Sequence, residues 1–298
     1  MHAPGGATIA DAAPSGVGSR LTYNERNEAA AFDRLAARRD GTMLRTSDWT
    51  FARYRSAVLG RPFYHAYPDL AFVYLGKHLL RGGDPSKPLR GLRVLDLGAG
   101  DGVWSVILSE QGARVASVEI SPRQVEQARA RMKNHDLAWD ARIGSAFALA
   151  EQFPAASFDL IFAQAILHHL TWDLENVYDG MHGLLREGGH AIMMEPYCAS
   201  PRLRRIRESL SWLVPFDRES PDERPLDDAD LRLLLDRFPG AMVERYDLLA
   251  KPARRIVRSV ALERALFRFD RAALRTRLFR SLAGGLFVAA RKQTTGEP

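Results

Sequence analysis

Short apolar runs alternate with longer amphipathic stretches through the middle of the chain. Arg93–Leu97, Arg114–Glu119, Ala141–Ile143, Phe158–Ala163 and His190–Glu195 are rich in Val, Ile, Leu, Phe and Ala with few polar breaks. That is the pattern of strands buried on both faces. Helical spacing fills the gaps: Val103–Gln111, Ser121-Pro122 through about Asn134, a segment beginning near Ala165, and Leu174–Leu185. Ser121 is a good N-cap and Pro122 suits a first turn, whereas Glu187-Gly188-Gly189 stops the last of these helices. Strands alternating with helices predict an α/β fold built on a parallel sheet.

The flanks read differently. Residues 1–20 are mostly Ala, Gly, Pro and Ser, the composition of a flexible tail. Asn24–Arg39, Trp49–Leu59 and Tyr67–Leu80 read as helices of an N-terminal cap spanning residues 21–88, which ends in a Gly/Pro linker. The proline-bounded aromatic cluster Arg61–Pro68 is either a packed corner or a site where Tyr64 or His65 covers a substrate. After His190–Glu195 the alternation fails. An amphipathic piece, Leu203–Val214, precedes a helix at Leu226–Phe238 capped by Asp227 or Asp228, and Met242–Leu249 and Leu286–Arg291 read as the last strands. The chain thus divides into a tail, the cap, one domain over residues 89–292 with insertions at about 197–226 and 251–283, and a short tail at 293–298.

Composition changes this picture in two places. Cys198 is the one cysteine, so no internal disulfide forms; with no apolar run of about 18 residues and no secretion signal, a cytoplasmic protein is expected. The formal charge of +6 is unevenly spread: residues 251–292 hold twelve Lys/Arg against Glu263 and Asp270, or +10, which leaves −4 for the remainder. Apolar residues at helical spacing in Lys251–Ala283, among them Val260, Phe267 and Leu274, alternate with arginines. Such a helix packs its apolar side on the domain, lies peripherally on an anionic membrane, or holds nucleic acid.

The chemistry centres on Asp96-Leu97-Gly98-Ala99-Gly100-Asp101-Gly102, a glycine turn between the first strand and its helix. Alternating glycines let a ligand lie on the main chain, and the helix aims its free N–H groups there. A dinucleotide fingerprint would place its third glycine at Val103. Asp96 at the strand end repels a pyrophosphate but suits the sulfonium and ammonium of S-adenosylmethionine (SAM).

In these residues the chain resembles the class I SAM-dependent methyltransferases, and the likeness covers residues 90–195. Val94–Gly102 resembles their first motif, Val118-Glu119-Ile120-Ser121 the end of their second strand, Phe158–Leu170 their fourth strand and its exit, and Leu184–Gly189 the turn before strand five. The resemblance implies a Rossmann-like α/β fold with a mostly parallel seven-stranded sheet whose last strand is antiparallel. It also implies transfer of a methyl group from SAM. Asp96, Gly98, Ala99, Gly100 and Gly102 would cradle the methionine part and ribose. Glu119, 23 residues after Asp96, would take the ribose hydroxyls and Ile120 would rest on the adenine. Ser145 stands where the family usually has an Asp on the adenine amino group, so Ser145 or the backbone at Ala146 and Phe147 reads the ring edge. Gln164 ends strand four beside the same ligand.

Methyl transfer needs alignment above all, and a base where the acceptor is a hydroxyl or carbon acid. His168 or His169 is the candidate base, or the pair belongs to the structural pattern of the turn. No metal site is expected, because no second ligand cluster lies at suitable spacing. Glu195 meets acceptor or cofactor or makes a structural hydrogen bond, and Tyr197 is a candidate for the acceptor pocket. Strand four has no Asn/Asp-Pro-Pro-aromatic motif at its exit, which argues against a nucleobase substrate. The acceptor expected is a small, hydrophobic metabolite methylated at oxygen, nitrogen or carbon. RNA methylation through the basic segment, or SAM binding without transfer, are the alternatives.

Overall fold

The computed structural model describes residues 21–39, 68–79, 87, 89–135, 137, 139–209, 223–253 and 259–294. Seven strands form one sheet: β1 (Arg93–Leu97), β2 (Arg114–Glu119), β3 (Asp140–Ile143), β4 (Phe158–Gln164), β5 (Leu185–Pro196), β6 (Met242–Tyr246) and β7 (Gly285–Arg291). Their spatial order is β3-β2-β1-β4-β5-β7-β6; β7 runs antiparallel to both of its neighbours, and the β3-to-β5 pairings are parallel. The expected Rossmann-like sheet is therefore the observed one.

The helices are α1 (Tyr23–Arg39), α2 (Pro68–His78), α3 (Val103–Glu110), α4 (Pro122–Asn134), α5 (Leu149–Gln152), α6 (Leu174–Leu184), α7 (Pro201–Ser209), α8 (Asp228–Arg237), α9 (Ala250–Ala253) and α10 (Val260–Leu274). Successive β1 side chains enter different layers. Leu95 and Leu97 pack toward Val177, Tyr178 and Met181 of α6, whereas Val94 packs with Trp104, Ile107 and Leu108 of α3 and with Tyr74 and Leu75 of α2. Burying such a side chain fully stabilises the fold by about 1.5–3 kcal/mol.

Four boundaries depart from the sequence reading. No α-helix starts at Ala165; that residue has φ +56°, and a 3₁₀ turn at Leu167–His169 follows. Strand β5 begins at Leu185, because the Gly188-Gly189 pair forms an irregularity within the strand, between the pairings Phe158↔Leu185 and Leu160↔His190. Helix α8 starts at Asp228, where Asp227 and Asp230 make a reciprocal capping box. Strand β6 stops at Tyr246, since buried Asp270 accepts the amides of Leu248, Leu249 and Ala250 and turns the chain into α9. Trp49–Leu59 lies outside the described residues, as does the part of Leu203–Val214 beyond Ser209.

The cap helix α1 lies on α4. The Gln127 side chain donates to Ala36 O at 3.0 Å, and Asp33 accepts from both Ser121 Oγ and the amide of Arg123. Within the basic insertion, Phe267, Asp270 and Leu274 are buried, while Phe269 and Leu278 are 56% and 75% exposed. Packing accounts for one side of α10 only.

Candidate functional site

Parallel pairing brings the carboxyl ends of β3, β2, β1 and β4 side by side, the edge at which ligands bind in open α/β sheets. All ten expected cofactor positions lie at these ends: Asp96 near the end of β1 and Gly98, Ala99, Gly100 and Gly102 after it, Glu119 and Ile120 at β2, Ser145 and Ala146 after β3, and Gln164 closing β4. Gly98, Gly100 and Gly102 have φ of +69°, +53° and +79°. A Cβ at Gly98 would stand 2.6 Å from Ile166 Cγ1, and one at Gly102 would stand 2.7 Å from Ala128 Cβ. Gly98 and Gly102 are required by backbone and space together, and Gly100 by its backbone. Gly102 caps α3 without a side-chain partner, so the first-turn N–H groups meet no capping side chain.

The acids are set around this turn. Ser105 Oγ donates to Asp96 Oδ2 at 2.6 Å. Glu119 accepts from the amides of Gly100 and Ser121, both at 2.9 Å, so its carboxylate is fixed at the mouth of the turn. Burial pushes the Asp96 carboxyl up to about 7, the Ser105 hydrogen bond opposes this, and neighbouring Glu119 adds to it. Burial also raises Glu119, against the amides that hold its charged form. Two buried acids at one ligand edge are costly without a cation to face them. They fit the positive charge of SAM.

Beyond them, Trp104 Nε1 donates to Gln164 Oε1 at 2.9 Å and its ring packs on Phe162 at 4.5 Å. This sets the Gln164 amide with its NH₂ as the donor end. Ser145 Oγ accepts the amide of Phe147 at 3.0 Å and so shapes its own turn.

The three catalytic candidates are brought into one cluster. Glu195 accepts the amides of Ile166 and Leu167 at 3.0 and 2.9 Å and meets His168 Nδ1 at 2.7 Å. Its oxygens are occupied in holding the 3₁₀ turn. The other nitrogen, His168 Nε2, faces Glu223 Oε1 at 3.4 Å. Burial pulls His168 down, but the neighbouring carboxylates of Glu195 and Glu223 overcome this and push it up to about 9. His169 turns Nδ1 toward Glu28 Oε2 of α1 at 3.4 Å and packs edge-on against Phe32.

Tyr197 is buried; its hydroxyl donates to Asp228, and Arg245 lies over its ring. Tyr64 and His65 lie outside the described residues. Sequence reasoning missed Glu28, Asp33 and Glu223, which carry no motif and arrive from far along the chain. No metal site was expected at the histidine pair; in space Glu223 comes within 3.4 Å of His168 Nε2.

A model of the family described as a methyltransferase domain matches residues 94–189. A ubiquinone biosynthesis O-methyltransferase of Rhizobium rhizogenes is 30% identical over 201 residues, covering 62% of this chain and 80% of that protein. The chain belongs to the class I SAM-dependent methyltransferase family. Another protein of the same description, from Methylocella silvestris, is 36% identical over 103 residues, 35% of this chain and 39% of the relative. Two Xylella fastidiosa and Chelativorans relatives are matched over 48% and 50% of their length, so the chain spans about half or less of these. Among solved structures, a candidate sarcosine dimethylglycine methyltransferase from Galdieria sulphuraria has a TM-score of 0.55 at 16% identity, covering 88% of this chain and 98% of that one. The Bacillus YcgJ protein has a TM-score of 0.51 at 16% identity, over 75% and 97%. These two share the fold of the methyltransferase domain.

Proposed function

We propose that this chain transfers the methyl group of SAM to a small, hydrophobic acceptor, at a hydroxyl oxygen. One observation carries the reading: Asp96, Glu119, Gln164 and the uncapped start of α3 gather around a single glycine turn that has no space for a Cβ at Gly98 or Gly102. The oxygen acceptor is supported by the relatives described as O-methyltransferases of ubiquinone biosynthesis.

In this reading Asp96 and Glu119 hold the positively charged donor and its ribose, Ile120 and the turn at Ser145-Ala146 take the adenine, and Gln164 orients the methionine end. SAM supplies an activated methyl on a sulfonium. The chain's task is to align the acceptor with it, which can contribute roughly 7–11 kcal/mol. Glu195 and His168 are positioning residues that fix the turn after β4, and His169 is the imidazole that serves the acceptor. Tyr197 stays on the acceptor side as part of the wall under α8, where its hydroxyl is tied to Asp228.

The basic insertion supports a peripheral contact with anionic membrane. Phe269 and Leu278 stand exposed near Arg268, Arg277 and Arg280, a mixture suited to lipid headgroups and to a lipophilic acceptor. No helix among the described residues is long and apolar enough to cross a membrane. A cytoplasmic location fits a reduced Cys198.

The test is SAM binding by calorimetry followed by transfer of labelled methyl to extract fractions. Asp96→Ala and Glu119→Ala are expected to abolish binding, and label is expected in a lipid-soluble product. Unchanged affinity in both variants removes the cofactor assignment. Label in RNA favours the nucleic-acid alternative, and binding without any labelled product favours a SAM-binding protein that does not methylate.

A further inference from the structure

Around the turn after β4, two imidazoles and three carboxylates are buried together. His168 Nδ1 is bound to Glu195, and His169 Nδ1 is turned to Glu28. The Glu195 contact on Nδ1 is the arrangement that orients a metal-ligating imidazole, with Nε2 of His168 the ligand once a cation displaces its proton. The Glu28 carboxylate stands 3.4 Å from His169 Nδ1. One atom each from His168, His169 and Glu223 falls within 4.8 Å of the others, and all three residues are buried. The His168 Nε2 to Glu223 Oε1 separation is 3.4 Å, longer than a good hydrogen bond. Two ligands of a tetrahedral zinc, each about 2.0–2.1 Å from the metal, stand about 3.3–3.4 Å apart.

We propose that His168, His169 and Glu223 form a binding site for a divalent transition-metal cation, with Glu195 and Glu28 as the carboxylates that orient the two imidazoles. Two histidines and one carboxylate are a donor set for zinc, iron or cobalt rather than for calcium or magnesium. The cation offsets the excess of buried carboxylate. Three protein ligands leave positions open for an oxygen donor, and a hydroxyl bound there ionises more readily. His169 then serves the acceptor through the metal. Glu28 comes from α1 and Glu223 from near the end of the first insertion, so the site ties both to the turn between β4 and α6. This inference rests on the reading of the same edge as the acceptor side of a methyltransferase.

The experiment titrates the full chain, stripped with a chelator, with Co²⁺ and then Zn²⁺, and follows the visible cobalt spectrum. The same preparation is titrated with SAM by calorimetry. The expected result is one Co²⁺ per chain with the intense bands of a low-symmetry nitrogen/oxygen site, displaced by Zn²⁺. Glu223→Gln and His169→Ala are each expected to weaken it at least about tenfold while SAM still binds. Absence of a saturable cobalt site in the wild type overturns the proposal, as does unchanged cobalt affinity in both variants. Because the wild-type titration decides by itself, a variant that fails to fold does not rescue it. SAM binding without cobalt overturns the metal site and leaves the methyltransferase reading; cobalt binding without SAM does the reverse.

Discussion

Asp33 of α1 accepts a 2.5 Å hydrogen bond from the hydroxyl of Ser121, which in turn caps α4 by accepting the amide of Gln124. Ser121 also donates its own amide to Glu119, the proposed ribose acid. One serine therefore connects the cap helix, the helix after β2 and the ligand-facing carboxylate. A hydrogen bond to a charged partner is worth about 1.5–3 kcal/mol. Asp33→Ala is expected to loosen α1 from the domain, seen as faster amide exchange in residues 23–39, and to weaken SAM binding several-fold. Unchanged exchange in α1 shows that the other α1 contacts suffice.

Gly102 combines φ +79° with a neighbour 2.7 Å from where a Cβ would sit. A left-handed conformation costs a non-glycine residue roughly 1–2 kcal/mol before any clash. Gly102→Ala is expected to lower the Tm and abolish SAM binding. Adding Ala128→Gly removes the 2.7 Å contact but leaves the Ala128 Cα at 3.0 Å and the backbone strain, so the double variant is expected to recover stability only in part.

As the proposed partner of the donor's positive charge, Asp96 is expected to give SAM binding a pH dependence. Its folded carboxyl titrates at about 7, above the unfolded value of 3.8, so the free fold holds this proton more tightly. Its contribution to stability is therefore present below about pH 4 and is lost as pH rises through about 7. A bound cation favours the ionised form and reverses the preference. SAM affinity is expected to rise roughly tenfold per pH unit up to about 7 and then level, with uptake of SAM releasing a proton. Calorimetry in buffers of differing ionisation enthalpy measures that proton; Asp96→Asn is expected to remove this component, and an unaltered slope in that variant assigns it elsewhere.

Asp270 lies fully buried in α10 and accepts three successive amides at the end of β6. Removing a buried acceptor leaves each donor at a cost of about 1–3 kcal/mol. Asp270→Ala is expected to destabilise the protein by at least about 3 kcal/mol in denaturant melts. By contrast Phe269→Ser, on an exposed side chain, is expected to leave stability within about 0.5 kcal/mol and to reduce sedimentation with anionic vesicles.

Much of the fold was legible along the chain. The boundaries of β2 and α4 follow directly from an apolar run ending in Glu119 and a Ser-Pro start. The glycine turn and its acids were legible too, since alternating glycines beside Asp96 satisfy a backbone and an electrostatic requirement that few ligands share. The exit of β4 was not. Leu167-His168-His169 has helical composition, yet the chain makes a 3₁₀ turn because Glu195, far along in β5, gathers the amides of Ile166 and Leu167.

The same contrast separates the two halves of the site. Local sequence determined the cofactor side, because strand, turn and cap are short-range structures governed by neighbouring residues. Only the tertiary structure decided the surroundings of the histidines. Glu28, Glu195 and Glu223 come from a cap helix, a strand end and an insertion, and their meeting depends on sheet order and helix docking. Buried charge in a low-dielectric interior responds to whatever lies a few ångströms away in space, and spacing along the chain carries no record of that distance.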